Sequence, residues 1–136
     1  METQATKPAR YARGLGRRKE ATAEVRLTEG TGVITVNSRT LENYFPLGTM
    51  RQSVFMPLVA TGMDKQLDAT VKVSGGGIRG QADAVRLGIA RALLVRNADF
   101  KPVLRKGGLI TRDARVRERK KYGKKSARRS PQWAKR

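Results

Sequence analysis

The chain has 136 residues, enough for one compact domain with an appendage and short for two. With 30 Lys and Arg against 11 acids its formal charge is +19, so a polyanionic partner is the first expectation. It has no cysteine and no histidine, which excludes disulfides, thiolate or imidazole zinc sites, cysteine nucleophiles and every histidine-based triad.

Residues 1–10 are small and polar, with Pro8, and read as a disordered N-terminus. They carry Glu2 and no apolar stretch, which predicts neither a secretory signal nor a transit peptide. No window reaches the roughly 18 apolar residues of a membrane span, so a soluble cytoplasmic protein is expected. From Tyr11 the pattern becomes strand-like. In "TAEVRLTEGTGVITVNS", Val25 and Leu27 alternate with Glu24, Arg26 and Thr28, Glu-Gly-Thr-Gly supplies turn residues, and Ile34 and Val36 resume the alternation. That pattern predicts two antiparallel strands joined as a hairpin, about 17–28 and 33–37.

"RTLENYF" reads as a short helical turn closed by Pro46 and Gly48. Pro57 suits a first helical position, so a short helix over 57–63 is predicted. "LDATVKVS" alternates apolar and polar residues through 67–74, the mark of a half-buried strand. After three glycines, Ala82, Val85, Ile89, Ala92 and Leu93 fall at helical spacing and predict a long helix over 79–95. A last short helix is expected near 100–105, and no apolar periodicity remains beyond Leu109. The order of elements implies an α+β fold, a small sheet covered by helices. The domain plan is a disordered 1–10, a globular body over 11–110 expected to bind the polyanion, and an extended basic tail over 111–136.

The tail holds the charge. Residues 1–100 carry 15 Lys and Arg against 9 acids, net +6, whereas residues 101–136 carry 15 against 2, net +13. Such a segment cannot bury enough apolar surface to offset its ordering entropy, so alone it is expected to be disordered and to order on a partner. Arg forks grip phosphates, Lys acts as a point charge, and irregular RNA backbone suits the mixture. RNA contacts are therefore expected from Arg112, Arg115, Arg117, Arg119, Lys120, Lys121, Lys124, Lys125, Arg128 and Arg129, with Tyr122 and Trp133 able to stack on bases or riboses. Pro131 restricts the backbone just before the tip. In the body, "GRRKE" offers Arg17, Arg18 and Lys19 as an RNA-facing strand or bulge, or as a solvated charged face. Arg10, Arg13 and Arg79 are further RNA candidates.

The glycine run "GGGIRG", residues 75–80, reads three ways. It satisfies G-x-G-x-x-G after a predicted strand and before a predicted helix, with Asp99 about the right distance on. No strand-like run follows the helix, however, and a dinucleotide unit requires one. The other readings are a tight strand-to-helix turn with close packing, and an anion site in which backbone N–H groups at the helix start work beside Arg79. Asp83, near the start of that helix, reads as a favourable helix-dipole charge rather than a catalytic acid.

"GGGIRGQADAVRLGIARAL", "GRRKEATAEVRL", "TRDARVRERKKYG" and the terminal "ARRSPQWAKR" together resemble the bacterial small-subunit ribosomal protein nine family over nearly the whole chain from Tyr11. The resemblance implies a left-handed βαβ crossover in the body and a long extended basic C-terminal arm. It implies no cofactor and no catalytic role. The implied partners are small-subunit ribosomal RNA in the 3′ major domain of the head, neighbouring ribosomal proteins and peptidyl-site tRNA. It also implies a single copy in the ribosome rather than a homo-oligomer. By position, Lys135 and Arg136, with Trp133 nearby, would touch the backbone of the tRNA anticodon stem-loop. Many relatives end in Gln-Phe-Ser-Lys-Arg, whereas this chain ends in Gln132-Trp133-Ala134-Lys135-Arg136. Trp keeps the stacking ability of Phe, and Ala134 loses a hydroxyl. Two readings from other classes stand beside this one: a DNA-compacting architectural protein and a nucleotide-dependent enzyme.

Overall fold

A computed structural model describes residues 11–135. Arg10, Arg136 and the expected disorder of residues 1–10 lie outside the described residues. Five strands form one sheet: β1 (Ala12–Arg18), β2 (Ala21–Glu29), β3 (Ile34–Val36), β4 (Arg39–Thr40) and β5 (Leu67–Ser74). The helices are α1 (Leu41–Tyr44), α2 (Gly48–Thr61), α3 (Ile78–Arg96) and α4 (Lys101–Lys106), the last preceded by a 3-10 turn at Ala98–Phe100. No helix or strand follows among the described residues.

The sheet order β1-β2-β5-β3-β4 corrects the expected hairpin. The strand read over 17–28 is two strands, folding back at Lys19-Glu20, where Lys19 takes a left-handed φ of 53°. Lys-Glu is not a turn dipeptide, so the break was hidden. Nor do β2 and β3 pair with each other. β5 lies between them, antiparallel to β2 with Val25 opposite Val71, and parallel to β3 with Val36 opposite Val71. The loop that looked like a hairpin turn is held elsewhere. The backbone N–H groups of Thr31, Gly32 and Val33 each donate to Asp68 Oδ1 of β5 at 2.9 Å. Asn37 and Ser38, both left-handed at φ 49° and 64°, form the two-residue turn from β3 to β4. The Asn37 amide then pairs with the backbone of Val73 in both directions, at 3.0 and 2.9 Å.

Those three bonds hold the Asp68 carboxyl below the usual carboxylate range. A depressed folded-state pKa contributes stability that is fully present above the unfolded carboxyl's value, near about 4, and is lost as pH falls through the folded one. Asp68→Asn is therefore expected to lower the thermal midpoint at pH 7. The gap to the parent chain should narrow as pH drops toward 3, and a pH-independent gap in thermal melts would contradict the assignment.

Helix α2 also departs from expectation. It starts nine residues before the predicted 57–63 helix and holds Pro57 buried in its interior. Met50, Val54 and Leu58 form its buried stripe at four-residue spacing, and Gly62 ends it at φ 70°. The fused stripe was masked by reading proline as a start. Helix α3 falls within one residue of the predicted 79–95, and β5 matches 67–74.

Alternate residues of each strand place Gly14, Val25, Val71 and Val36 in one register row on the buried face. Helices α2 and α3 cover that face. The observed class is thus α+β, with one face of the sheet covered by helices and the other carrying Arg13, Arg17, Arg26, Thr70 and Lys72 exposed. Helix α3 lies very close to β1: a Cβ on Gly16 would stand 2.6 Å from Gly88 N, and one on Gly14 would stand 2.6 Å from Ala92 N.

Candidate nucleic-acid interface

Three parts of the chain meet at one end of the sheet: the β1–β2 hairpin tip, the first turns of α3, and the root of the C-terminal segment. The glycine run is what lets them meet. A Cβ on Gly75 would lie 2.6 Å from Glu20 O, and one on Gly76 would lie 2.9 Å from Ala21 N. Their φ angles, 73° and 65°, are left-handed. The tight-turn reading of "GGGIRG" therefore accounts for these glycines. The dinucleotide reading fails on topology, because α3 is followed by a 3-10 turn and α4 rather than by a second parallel strand.

At this junction lies a polar cleft of about 320 Å³. Arg18 from the hairpin, Arg79 and Arg86 from α3 and Arg115 from the tail line it, with Asp83 and Asp113 between them. Arg18 pairs with Asp83 and, at 3.5 Å, with Asp113. Arg86 approaches Asp83 at 3.9 Å, and Arg115 forks onto Asp113 with bonds of 3.1 and 2.7 Å. The Arg115 fork, helped by Arg18, holds the Asp113 carboxyl far below its ordinary range and raises Arg115. The sequence reading grouped Arg18, Arg79 and Arg115 only as basic residues, and the structure brings them together. It left out Arg86 and Asp113 and read Asp83 as a helix-dipole charge; the only signal for their meeting was that Asp83 and Arg86 lie three apart on one helix.

The other body candidates lie apart. Arg13 sits on the open sheet face and donates to Glu24 at 3.2 Å, as does Arg26, which also lies 5.0 Å over the Tyr11 ring. Burial pushes the Glu24 carboxyl up, but Arg13 and Arg26 outweigh it and hold it low. Arg17 and Lys19 are exposed.

In the tail, residues 112–135 are exposed except Asp113 and Ala127. Glu118 pairs with Lys121 and with Arg128 at 2.9 Å, which draws its carboxyl below the usual value. Lys125 N donates to Arg129 O at 2.7 Å and Lys124 Nζ bonds Ser130 Oγ at 2.7 Å, so the chain turns back on itself here. Arg112, Arg117, Lys120, Lys125, Arg129 and Lys135 make no ion pair among the described residues, and Arg119 bonds only the Lys120 carbonyl, at 3.3 Å. Tyr122 and Trp133 are 100% and 80% exposed, large apolar surfaces that the described residues leave uncovered. Cations with spare donors beside bare aromatic rings can hold phosphates and stack on bases.

No helix among the described residues is long and apolar enough to cross a membrane, and no cluster of acids among them could hold a metal.

The family profile described as Ribosomal protein S9/S16 matches residues 16–136. The small ribosomal subunit protein uS9 of Mesoplasma florum is 56% identical over 124 residues, covering 91% of this chain and 95% of the relative. That of Desulfovibrio desulfuricans is 51% identical over 127 residues, covering 93% and 98%. A profile spanning most of the chain and relatives at this identity leave one conclusion: the chain belongs to the ribosomal protein S9/S16 family.

Proposed function

We propose that the chain helps to build the head of the small ribosomal subunit by binding its RNA, and that its C-terminal tail reaches the backbone of the peptidyl-site tRNA anticodon stem-loop. Family membership makes it a structural, non-enzymatic component of the ribosome, at work in the cytoplasm. The observation that carries the finer reading is the tail. Of its 25 residues from Arg112 onward, 12 are Lys or Arg and 2 are acids, and both acids are already paired. What remains is a surplus of cations, exposed and without helix or strand among the described residues.

Fully extended, 25 residues reach at most about 80 Å, which is long enough to cross a subunit domain away from the body. Phosphate contacts of this kind position a chain on RNA without reading sequence. The candidates in the body (Arg13, Arg17, Arg18, Lys19 and Arg79) and in the tail up to Arg129 serve the ribosomal RNA in this reading, and Trp133, Lys135 and Arg136 serve the tRNA. The outer side of α2 supports a place beside neighbouring proteins: it carries only Arg51 as a charge and exposes Met56 and Val59. We read the link from β3 through α1 and α2 to the adjacent parallel β5 as the family's left-handed crossover, a rarity among such links. A right-handed path in a density map of the subunit would refute that.

Removing Lys135 and Arg136 is expected to weaken peptidyl-site tRNA binding while leaving subunit assembly intact. The measurement is tRNA affinity of purified subunits carrying the shortened chain. Unchanged affinity would sink the tRNA role.

A further inference from the structure

We propose that the cleft between the hairpin tip, α3 and the root of the tail is the seat of one phosphodiester of the bound RNA, an inference that rests on the RNA-binding reading above. Charge is the first reason. Four guanidinium groups share the cleft with two carboxylates, so it carries two positive charges in excess. An isolated ion-pair network would be more stable closer to balance, because neighbouring like charges repel.

The donors are the second reason. The ion pairs at this cleft engage Arg18 through one terminal nitrogen on Asp83, Arg115 on Asp113 and Arg86 only at 3.9 Å, and among the described residues they leave Arg79 out. Thr49 and Ser53 of α2 add hydroxyls to the same wall. Most telling, Arg18 Nε is buried and makes no hydrogen bond among the described residues, although Asp113 stands 3.5 Å away. A buried N–H without an acceptor carries a desolvation cost that a bound oxygen would remove.

The shape and the surroundings choose the ligand. Donors arrive from the hairpin, two helices and the tail, a spread of directions that suits a tetrahedral anion better than a planar carboxylate. Met50 and Ala82 are the apolar lining, with no aromatic ring among it, so the site offers nothing on which a base would stack. Arg17 and Lys19 stand exposed on one side and the basic tail leaves on the other. A phosphate held here would have its neighbours along the strand within reach of both. Asp83 and Asp113 then act as orienting groups that aim Arg18, Arg86 and Arg115, and the bound phosphate would fix the point at which the tail leaves the body.

The test uses the full chain, a transcript of the 3′ major domain of small-subunit ribosomal RNA, and inorganic phosphate. Arg79→Gln with Arg86→Gln should flatten the plot of log affinity against log salt by about 0.7, the share of one phosphate on irregular RNA. In the unmutated chain, the Arg18 Nε–H resonance should move saturably as phosphate is added, a readout that does not depend on the variant folding. An unchanged slope together with an unmoved resonance overturns the cleft assignment. A resonance that moves without any change of slope marks a site for free anions and overturns the assignment to RNA. An unmutated chain that fails to prefer the transcript over duplex DNA of equal length overturns the RNA-binding reading itself, and the cleft with it.

Discussion

Gly16→Val is expected to cost the body more than about 4 kcal/mol, a size reserved for a few mechanisms and enough to unfold a marginal domain. Overpacking usually costs about 1–3 kcal/mol, because side chains can turn aside. Here the obstacle is backbone. A Cβ on Gly16 would meet the carbonyl of Ala84 and the nitrogen of Gly88, and neither can rotate away. To make room, α3 would have to lift off β1, exposing Ala84, Val85, Ile89, Ala92 and Leu93, all fully buried. Gly14 and Gly88 complete the same contact, with a Cβ on Gly88 lying 2.7 Å from Val25 Cγ2. Gly48→Ala is the matched control, since its nearest neighbour is an Arg51 side-chain nitrogen 3.8 Å off, and it should leave stability within about 0.5 kcal/mol. Urea unfolding checks both. A Gly16→Val chain with the parent's midpoint would show that the helix does not lie on the strand as described.

Ending the chain after Thr111 is expected to spare the fold and remove most of its affinity for RNA. Leu109 is the last fully packed side chain, at 5% exposure, so the core is complete without the tail. Arg18 loses Asp113 but keeps Asp83. Twelve cations go with the segment. If six of them neutralise phosphates, the slope of log affinity against log salt should become shallower by about 4, at about 0.7 per contact. Between 50 and 200 mM salt the full chain would then lose about 300-fold more affinity than the truncated one. Filter binding over a salt series measures this directly, and parallel slopes would mean that the tail makes no phosphate contacts.

The elements that were legible in the sequence are those whose fate is set locally. The alternation of 67–74 and the spacing of Ala82, Val85, Ile89 and Leu93 specify β5 and α3, because each buries one continuous face. What was not legible depends on residues far apart in the chain. The insertion of β5 between β2 and β3 rests on Asp68 capturing three N–H groups of the 31–33 loop, a bond across more than thirty residues that no local pattern announces. The Lys19-Glu20 turn lacks the usual turn residues and is imposed by strand pairing on either side. Pro57 looked like a helix start, and burial of its ring in a longer helix overrode that preference.

The candidate site divides in the same way. The basic tail was visible as composition, because a charge surplus needs no fold to be recognised. The cleft was not, since Arg18, Asp83 and Asp113 span nearly a hundred residues of sequence and meet only when Gly75 and Gly76 let the strand-to-helix turn settle against Glu20 and Ala21. "GGGIRG" drew notice as a phosphate-binding fingerprint. Its glycines instead bring the hairpin tip and α3 together, and the donors around the cleft are side chains.

The most direct measurement is sedimentation of a lysate from cells expressing this chain on a sucrose gradient, with and without ribonuclease, locating the chain by mass spectrometry. Comigration with small ribosomal subunits that is abolished by RNA digestion is the predicted result. Recovery at the top of the gradient without ribonuclease, or with nucleoid DNA, would contradict a constituent of the subunit held there by RNA.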